Sequence, residues 1–134
     1  MITIQEKIKK TPLKKFVSLY KKALELKQPS LEAACLSTSN ISGNPDSRYI
    51  NIKCINNNGF IFYSNYRSPK SKHLEFNSNI SLNFFWTVIN TQIRIKATAE
   101  KLPEALSDNH FKKREYKKNI LSISSHQSCR IKSY

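Results

Sequence analysis

Residues 60–74 read FIFYSNYRSPKSKHL, an apolar run that opens into Arg67, Lys70, Lys72 and His73 with Ser68 and Pro69 among them. Ser at an N-cap followed by Pro at the first helical position is a common helix start. Such a start gathers unpaired backbone N–H groups and the positive end of the helix dipole at one spot. With Lys70 and Lys72 beside it, that spot suits a phosphate monoester. The same residues also fit an ordinary capped surface helix with solvated lysines, and the segment alone does not choose between the two.

A second cationic pair lies upstream. In SRYINIKCI, residues 47–55, Arg48 and Lys53 bracket a run of β-branched residues. Strict alternation puts Ile50, Ile52 and Cys54 on one face with Arg48, and Asn51 and Lys53 on the other. Arg48 then belongs at the rim of a barrel, or else on an exposed edge strand with unremarkable charges.

The elements that would hold these residues can be read from periodicity. In TPLKKFVSLYKKALELKQP the apolar positions Leu13, Phe16, Val17, Leu19, Tyr20, Ala23, Leu24 and Leu26 recur at helical spacing. They predict an amphipathic helix of about four turns, with Thr11 as N-cap, Pro12 at the first position, lysines facing water, and Pro29 ending it. The period then shortens. Residues 33–39, 47–55, 59–65, 79–87 and 91–102 are short and rich in β-branched and aromatic residues, which predicts five strands. ISGNPD and NNNG are turn sequences suited to antiparallel neighbours. A short helix is expected within SPKSKHLEFN, and further helical segments from Pro103 and around NILSI. Short, mostly antiparallel strands with one inserted helix indicate a small β-barrel, mainly β with helices, in a single domain over residues 1–134.

Composition narrows the partners. The formal net charge is +14. Eight lysines fall in residues 1–27 and seven Lys or Arg in residues 110–134, so the charge gathers at the ends. Such charge favours weak nucleic-acid attraction without specifying it. Cys35, Cys54 and Cys129 form no CxxC pair, and His73, His110 and His126 have no metal spacing, so no metal site is expected. Cys35 and Cys54, each in an apolar run, read as buried thiols. The sequence has no run of about 18 apolar residues and no signal-peptide pattern at its start, so a soluble cytoplasmic protein without membrane partners is expected.

The ordered set Arg48 to Lys53, then F-Y-S-N-x-x-S-x-K from Phe62 to Lys70, then F-x-W and T-Q-I between Phe84 and Ile93, then Gln127 and Ser128, resembles the pyridoxine/pyridoxamine 5′-phosphate oxidase family. The resemblance covers residues 12–128. It implies an antiparallel split β-barrel of the FMN-binding type, forming a homodimer with FMN in the subunit interface. Arg48 and Lys70 would hold the FMN phosphate, with Tyr63 and Ser64 along the ribityl chain and Gln92 at the flavin ring edge. Gln127 and Ser128 would come from the partner subunit. Lys53 would border the flavin and contact the phosphate of a small-molecule substrate.

Departures from the family pattern fall unevenly. Pro69 stands where the family has an Arg before its Lys. His110, Arg114 and Lys118 align with the family's Tyr, Arg and Ser, which contact the substrate's phosphate, so Arg114 alone matches. The family's R-x-H substrate motif and its further strands have no counterpart before Tyr134. Each charge-assisted phosphate contact is worth roughly 1.5–3 kcal/mol. A flavin half that is largely present beside a substrate half that is largely missing therefore predicts an FMN-binding oxidoreductase without tight grip on pyridoxamine phosphate. The alternatives are a flavin-binding protein without turnover, and a small basic barrel that stacks nucleic-acid bases on Tyr49, Tyr63 and Tyr66.

Overall fold

The computed structural model describes residues 1–65 and 67–102. The expected segments beyond Pro103 lie outside the described residues, as do Tyr66, His110, Arg114, Lys118, His126, Gln127, Ser128 and Cys129.

The chain begins with a two-residue strand, β1 (Thr3–Ile4), followed by helix α1 (Thr11–Glu25), then β2 (Ala33–Ser39), β3 (Pro45–Asn56), β4 (Gly59–Phe62), helix α2 (Pro69–Phe76), β5 (Asn79–Trp86), a 3-10 turn (Thr87–Ile89) and β6 (Thr91–Thr98). Among the described residues there are thus six strands rather than five. The sheet is mixed: β1 runs parallel to β3, with Thr3 opposite Cys54, while every other pair is antiparallel. Two residues are too few for periodicity to reveal, which is why β1 escapes a reading of the sequence.

β3 organises the fold. Its first half, Pro45 to Asn51, pairs with β2, and its second half, Ile52 to Asn56, pairs with β4 and β1. β2 continues to β5 and β5 to β6, giving the order β1-β3-β2-β5-β6 with β4 also on β3. One long strand shared between two parts of a sheet turns the corner of a partly open barrel.

The turn is made at a β-bulge. Ile52 faces Phe62 but Cys54 faces Ile61, so Lys53 is an extra residue on β3. Alternation breaks there: Ile50 and Ile52 are buried, yet it is Ile55, fully buried, and not Cys54 that continues the core face. Cys35 and Cys54 are accordingly half-buried rather than buried. The strand ends also have physical causes. β6 stops at Thr98 because its partner begins at Asn79, opposite it; Ala99 adds one last backbone bond to Ser78. β4 stops at Phe62 as the chain turns toward α2.

α1 differs from expectation at both ends. Lys10 is its N-cap and Thr11 its first residue; the lysine side chain has no acceptor with which to cap the helix, and Lys14 N–H bonds Lys10 C=O at 2.9 Å as the first intrahelical bond. The helix ends well before Pro29. Lys27 adopts a left-handed φ of 58°, Lys27 N–H bonds Leu24 C=O and Gln28 N–H bonds Ala23 C=O, which is the paired-bond C-terminal motif normally built on glycine. Its lysines are solvent-exposed, while Phe16, Tyr20 and Ala23 are buried.

Those three residues pack onto Ala34, Leu36, Ile50, Ile52, Leu82, Phe84 and Trp86, the even-numbered face of β2, β3 and β5. Phe16 sits edge-on to Phe60 and Phe84, with ring centroids 4.8 and 5.1 Å apart. Two polar groups of this core find partners: Trp86 Nε1–H donates to Leu31 C=O (3.1 Å), and Tyr20 Oη accepts from Ile2 N–H (2.9 Å). The other face of β2, β5 and β6 carries Ser37, Asn83, Phe85, Gln92 and Arg94, joined on β3 by Tyr49. Tyr49 and Phe85 are largely exposed. No helix among the described residues is long and apolar enough to cross a membrane.

Candidate functional site

The start of α2 is built around serine hydroxyls. Ser68 occupies the N-cap position with Pro69 first in the helix, as the sequence suggests, and its backbone C=O accepts from Ser71 and Lys72 N–H. Its hydroxyl does not cap the helix. It is fully buried and accepts a hydrogen bond from Lys70 Nζ at 3.1 Å, with Ser71 Oγ 3.2 Å away. Ser71 Oγ in turn donates to Asn65 C=O (2.9 Å) and lies 3.4 Å from Ser64 Oγ. This cluster ties the loop after β4 to the first turn of α2 and draws Lys70 inward, to 5% exposure.

Arg48 reaches the same region from β3. Cross-strand pairing with Leu36, itself opposite Leu82, places it on the core face at the end of the sheet. Nη1 donates to Thr38 Oγ1 (2.8 Å) and to Leu36 C=O (3.3 Å). Nη2 lies 3.2 Å from Asp46 Oδ2, a largely exposed carboxylate, but it is buried and makes no well-formed hydrogen bond among the described residues. Burial pulls the Lys70 ammonium below its ordinary range, and the Arg48 charge pulls it further the same way. Two inward-drawn cations thus repel each other, and among the described residues no carboxylate pairs with Lys70. An anion placed between them would offset the desolvation of both.

The remaining residues singled out from the sequence divide. Tyr63 and Ser64 follow β4 directly and flank the serine cluster. Burial, and then the neighbouring Cys54, push the Tyr63 hydroxyl up, so it stays a neutral hydrogen-bonding group. Lys53 is half-buried on the bulge. Gln92 is exposed and pairs with Phe85, so it stands on the opposite face of the sheet from Arg48, and a single chain does not bring it to the cation pair. Arg67 and Lys72, prominent in the sequence, are solvent-exposed.

Two residues near the site have roles that the sequence does not assign: Thr38, which nothing singles out, and His73, which stands there only as one of the basic residues of the loop. Thr38 is buried and bonded to Arg48, and His73 Nδ1 lies 2.9 Å from the same hydroxyl. Lys70 and His73 share a face of α2 at i, i+3, and Thr38 is the diagonal cross-strand neighbour of Arg48. Both spacings are in the sequence, yet neither signals anything until the pairing of β2 with β3 is known. An open depression of about 540 Å³ spans Thr38, Ser81 and Lys96 at the ends of β2, β5 and β6. Another, of about 440 Å³, lies between β1 and α1 and is remote from these cations.

Over residues 20–133 the sequence matches the family described as pyridoxamine 5′-phosphate oxidase. It is 34% identical over 125 residues to the pyridoxine/pyridoxamine 5′-phosphate oxidase of Haemophilus influenzae, covering 93% of this chain and 60% of that protein. It is 42% identical over 98 residues to the Flavobacterium johnsoniae protein of the same name, covering 73% of this chain and 46% of that one. The chain therefore spans about half to three-fifths of the length of these relatives. Among solved structures, PhzG of Burkholderia lata, in complex with tetrahydrophenazine-1-carboxylic acid, superposes with a TM-score of 0.85 at 26% identity, over 90% of this chain and 59% of that one. A pyridoxamine 5′-phosphate oxidase-related, FMN-binding protein of Nostoc punctiforme gives 0.67 at 13% identity and shares the fold, over 94% of this chain and 70% of that one. The fold is the split β-barrel of these proteins.

Proposed function

The chain belongs to the pyridoxamine 5′-phosphate oxidase family, and from that premise we propose that it is an FMN-binding, oxidoreductase-like protein that holds the cofactor's phosphate between Arg48 and Lys70. The observation that carries this reading is the cation pair itself. Lys70 is buried beside Arg48 without a carboxylate partner among the described residues, and Arg48 Nη2, whose one ion-pair partner among them is the largely exposed Asp46 carboxylate at 3.2 Å, makes no well-formed hydrogen bond there. A nearly dianionic phosphate monoester supplies the missing charge and acceptors, so the residues present fit FMN. Ser64 and Tyr63 adjoin the pair where a polyol chain would leave the phosphate.

In this reading FMN, when bound, supplies the two-electron redox chemistry, and the protein's part is to bind and orient. Lys70 and Arg48 neutralise the phosphate, and Tyr63, kept protonated, offers a hydroxyl donor. Lys53, set off from the alternating pattern by the bulge, would be available to the cofactor or to an anionic substrate. Gln92 is contributed by a second copy, since its face bears the exposed Tyr49 and Phe85 that a homodimer would bury. Substrate contacts at His110, Arg114 and Lys118 and flavin contacts at Gln127 and Ser128 belong to the same proposal and lie outside the described residues. The substrate class is left open beyond vitamin B6, a breadth supported by the phenazine-type carboxylic acid held by the Burkholderia lata relative.

Titration of the purified protein with FMN, followed by visible absorbance and flavin fluorescence, tests this directly. Saturable uptake of FMN, with riboflavin bound more weakly, is expected. Loss of uptake in Arg48→Ala and Lys70→Ala would assign the phosphate to this pair, whereas a protein that takes up no flavin yet binds single-stranded oligonucleotides with steep salt dependence would be a nucleic-acid-binding barrel instead.

A further inference from the structure

The cation pair needs Arg48 held in one orientation, and the chain of contacts behind it reaches a residue outside the binding set. A guanidinium only donates, so Thr38 Oγ1 must accept the 2.8 Å hydrogen bond from Arg48 Nη1. The single hydroxyl proton of Thr38 is then free for His73 Nδ1, 2.9 Å away. With His73 Nδ1 as the acceptor, the series Arg48 Nη1, Thr38 Oγ1, His73 Nδ1 donates in one direction. Thr38 is 3% exposed, so water does not readily substitute for either partner.

His73 also ties the helix to the strand. It lies in the last turn of α2, and one turn on, Asn77 Nδ2 donates to Ser39 Oγ of β2 at 2.8 Å. Lys70, at the other end of the same helix face, is the second cation of the site. We propose that His73 is a positioning residue for the anion site: through the Thr38 hydroxyl it fixes the Arg48 guanidinium, so that Nη2, 3.2 Å from the largely exposed Asp46 carboxylate, is held where a ligand anion can reach it, and it sets the distance between Arg48 and Lys70. The proposal rests on the flavin reading for the identity of the ligand but not for the contacts themselves.

The discriminating quantity is the ratio of FMN to riboflavin affinity, because the two ligands differ only in the phosphate. In the 134-residue chain, Thr38→Val and His73→Leu should reduce that ratio by about tenfold while riboflavin affinity is unchanged. His73→Gln, whose side-chain amide can still meet the Thr38 hydroxyl, should restore most of it. A merely structural role would lower both affinities together and would not distinguish Gln from Leu. An unchanged ratio in folded His73→Leu overturns the proposal; should that variant not fold, a ratio in His73→Gln and Thr38→Ser reduced as far as in Thr38→Val overturns it equally. A second readout needs no ligand: rotation of the Arg48 guanidinium about Nε–Cζ, followed by nitrogen-15 NMR, should quicken in Thr38→Val and His73→Leu and stay slow in His73→Gln. If the wild-type protein binds no flavin, the flavin reading fails, and this NMR comparison alone upholds or overturns the positioning role.

Discussion

Lys70 is the residue at which binding and stability oppose each other. Folding lowers its pKa from the ordinary 10.5, first by burial and then through Arg48, so between the folded and unfolded values the unfolded chain binds more protons. The cost of burying the charge is therefore present in full below the depressed value and is relieved as pH rises from it toward 10.5. Lys70→Gln should accordingly raise the melting temperature of the flavin-free protein by about 4 °C, corresponding to roughly 1 kcal/mol, while weakening FMN by about 10- to 100-fold. Scanning calorimetry and flavin titration would read the two effects; a fall in both would show that Lys70 is packed for stability instead. In wild type, FMN affinity should decline with rising pH earlier than an ordinary lysine would dictate, and the decline should vanish in Lys70→Gln. Tyr63 adds no titration below its own raised value. Lys70 and Arg48 could be picked out by residue type and order in the chain. Thr38 and His73 could not, because a threonine in a strand and a histidine in a lysine-rich helix are ordinary until the strands are paired.

At the scale of elements, the bulge and the end of α1 show where local rules stop being enough. Alternation locates β2 to the residue and β3 and β5 nearly so, while the expected strands at 59–65 and 91–102 overrun β4 and β6 by three and four residues; a bulge is a property of two strands, and Lys53 carries no mark of it in SRYINIKCI. The helix terminus was misplaced for a related reason: Pro29 is a strong breaker, yet the chain had already turned at Lys27, a residue type that signals nothing. A side chain in the left-handed region costs roughly 1 kcal/mol, which glycine avoids. Lys27→Gly should therefore stabilise the protein by about 0.5–1 kcal/mol with flavin affinity unchanged, as measured by urea denaturation at constant m-value. A destabilised Lys27→Gly would mean that the lysine side chain contributes more than its backbone strain removes.

For the whole molecule, the outer face of the sheet is the feature that periodicity predicts least. Tyr49 and Phe85, exposed to 78% and 62%, lie on the same face as Gln92, away from the core packed by α1. If a second copy covers this face, Phe85→Glu should convert the dimer to a monomer in sedimentation experiments and weaken FMN at least tenfold by withdrawing Gln92. Retention of the dimer in Phe85→Glu would place the subunit contact elsewhere. The buried cation pair has a consequence on a longer timescale. A chain that holds two like charges together opens more often when nothing lies between them, and proteases cut opened chains. Cellular abundance of the protein should then follow the supply of its ligand, so that shortage of the cofactor thins out the protein itself instead of leaving an idle pool waiting to be loaded.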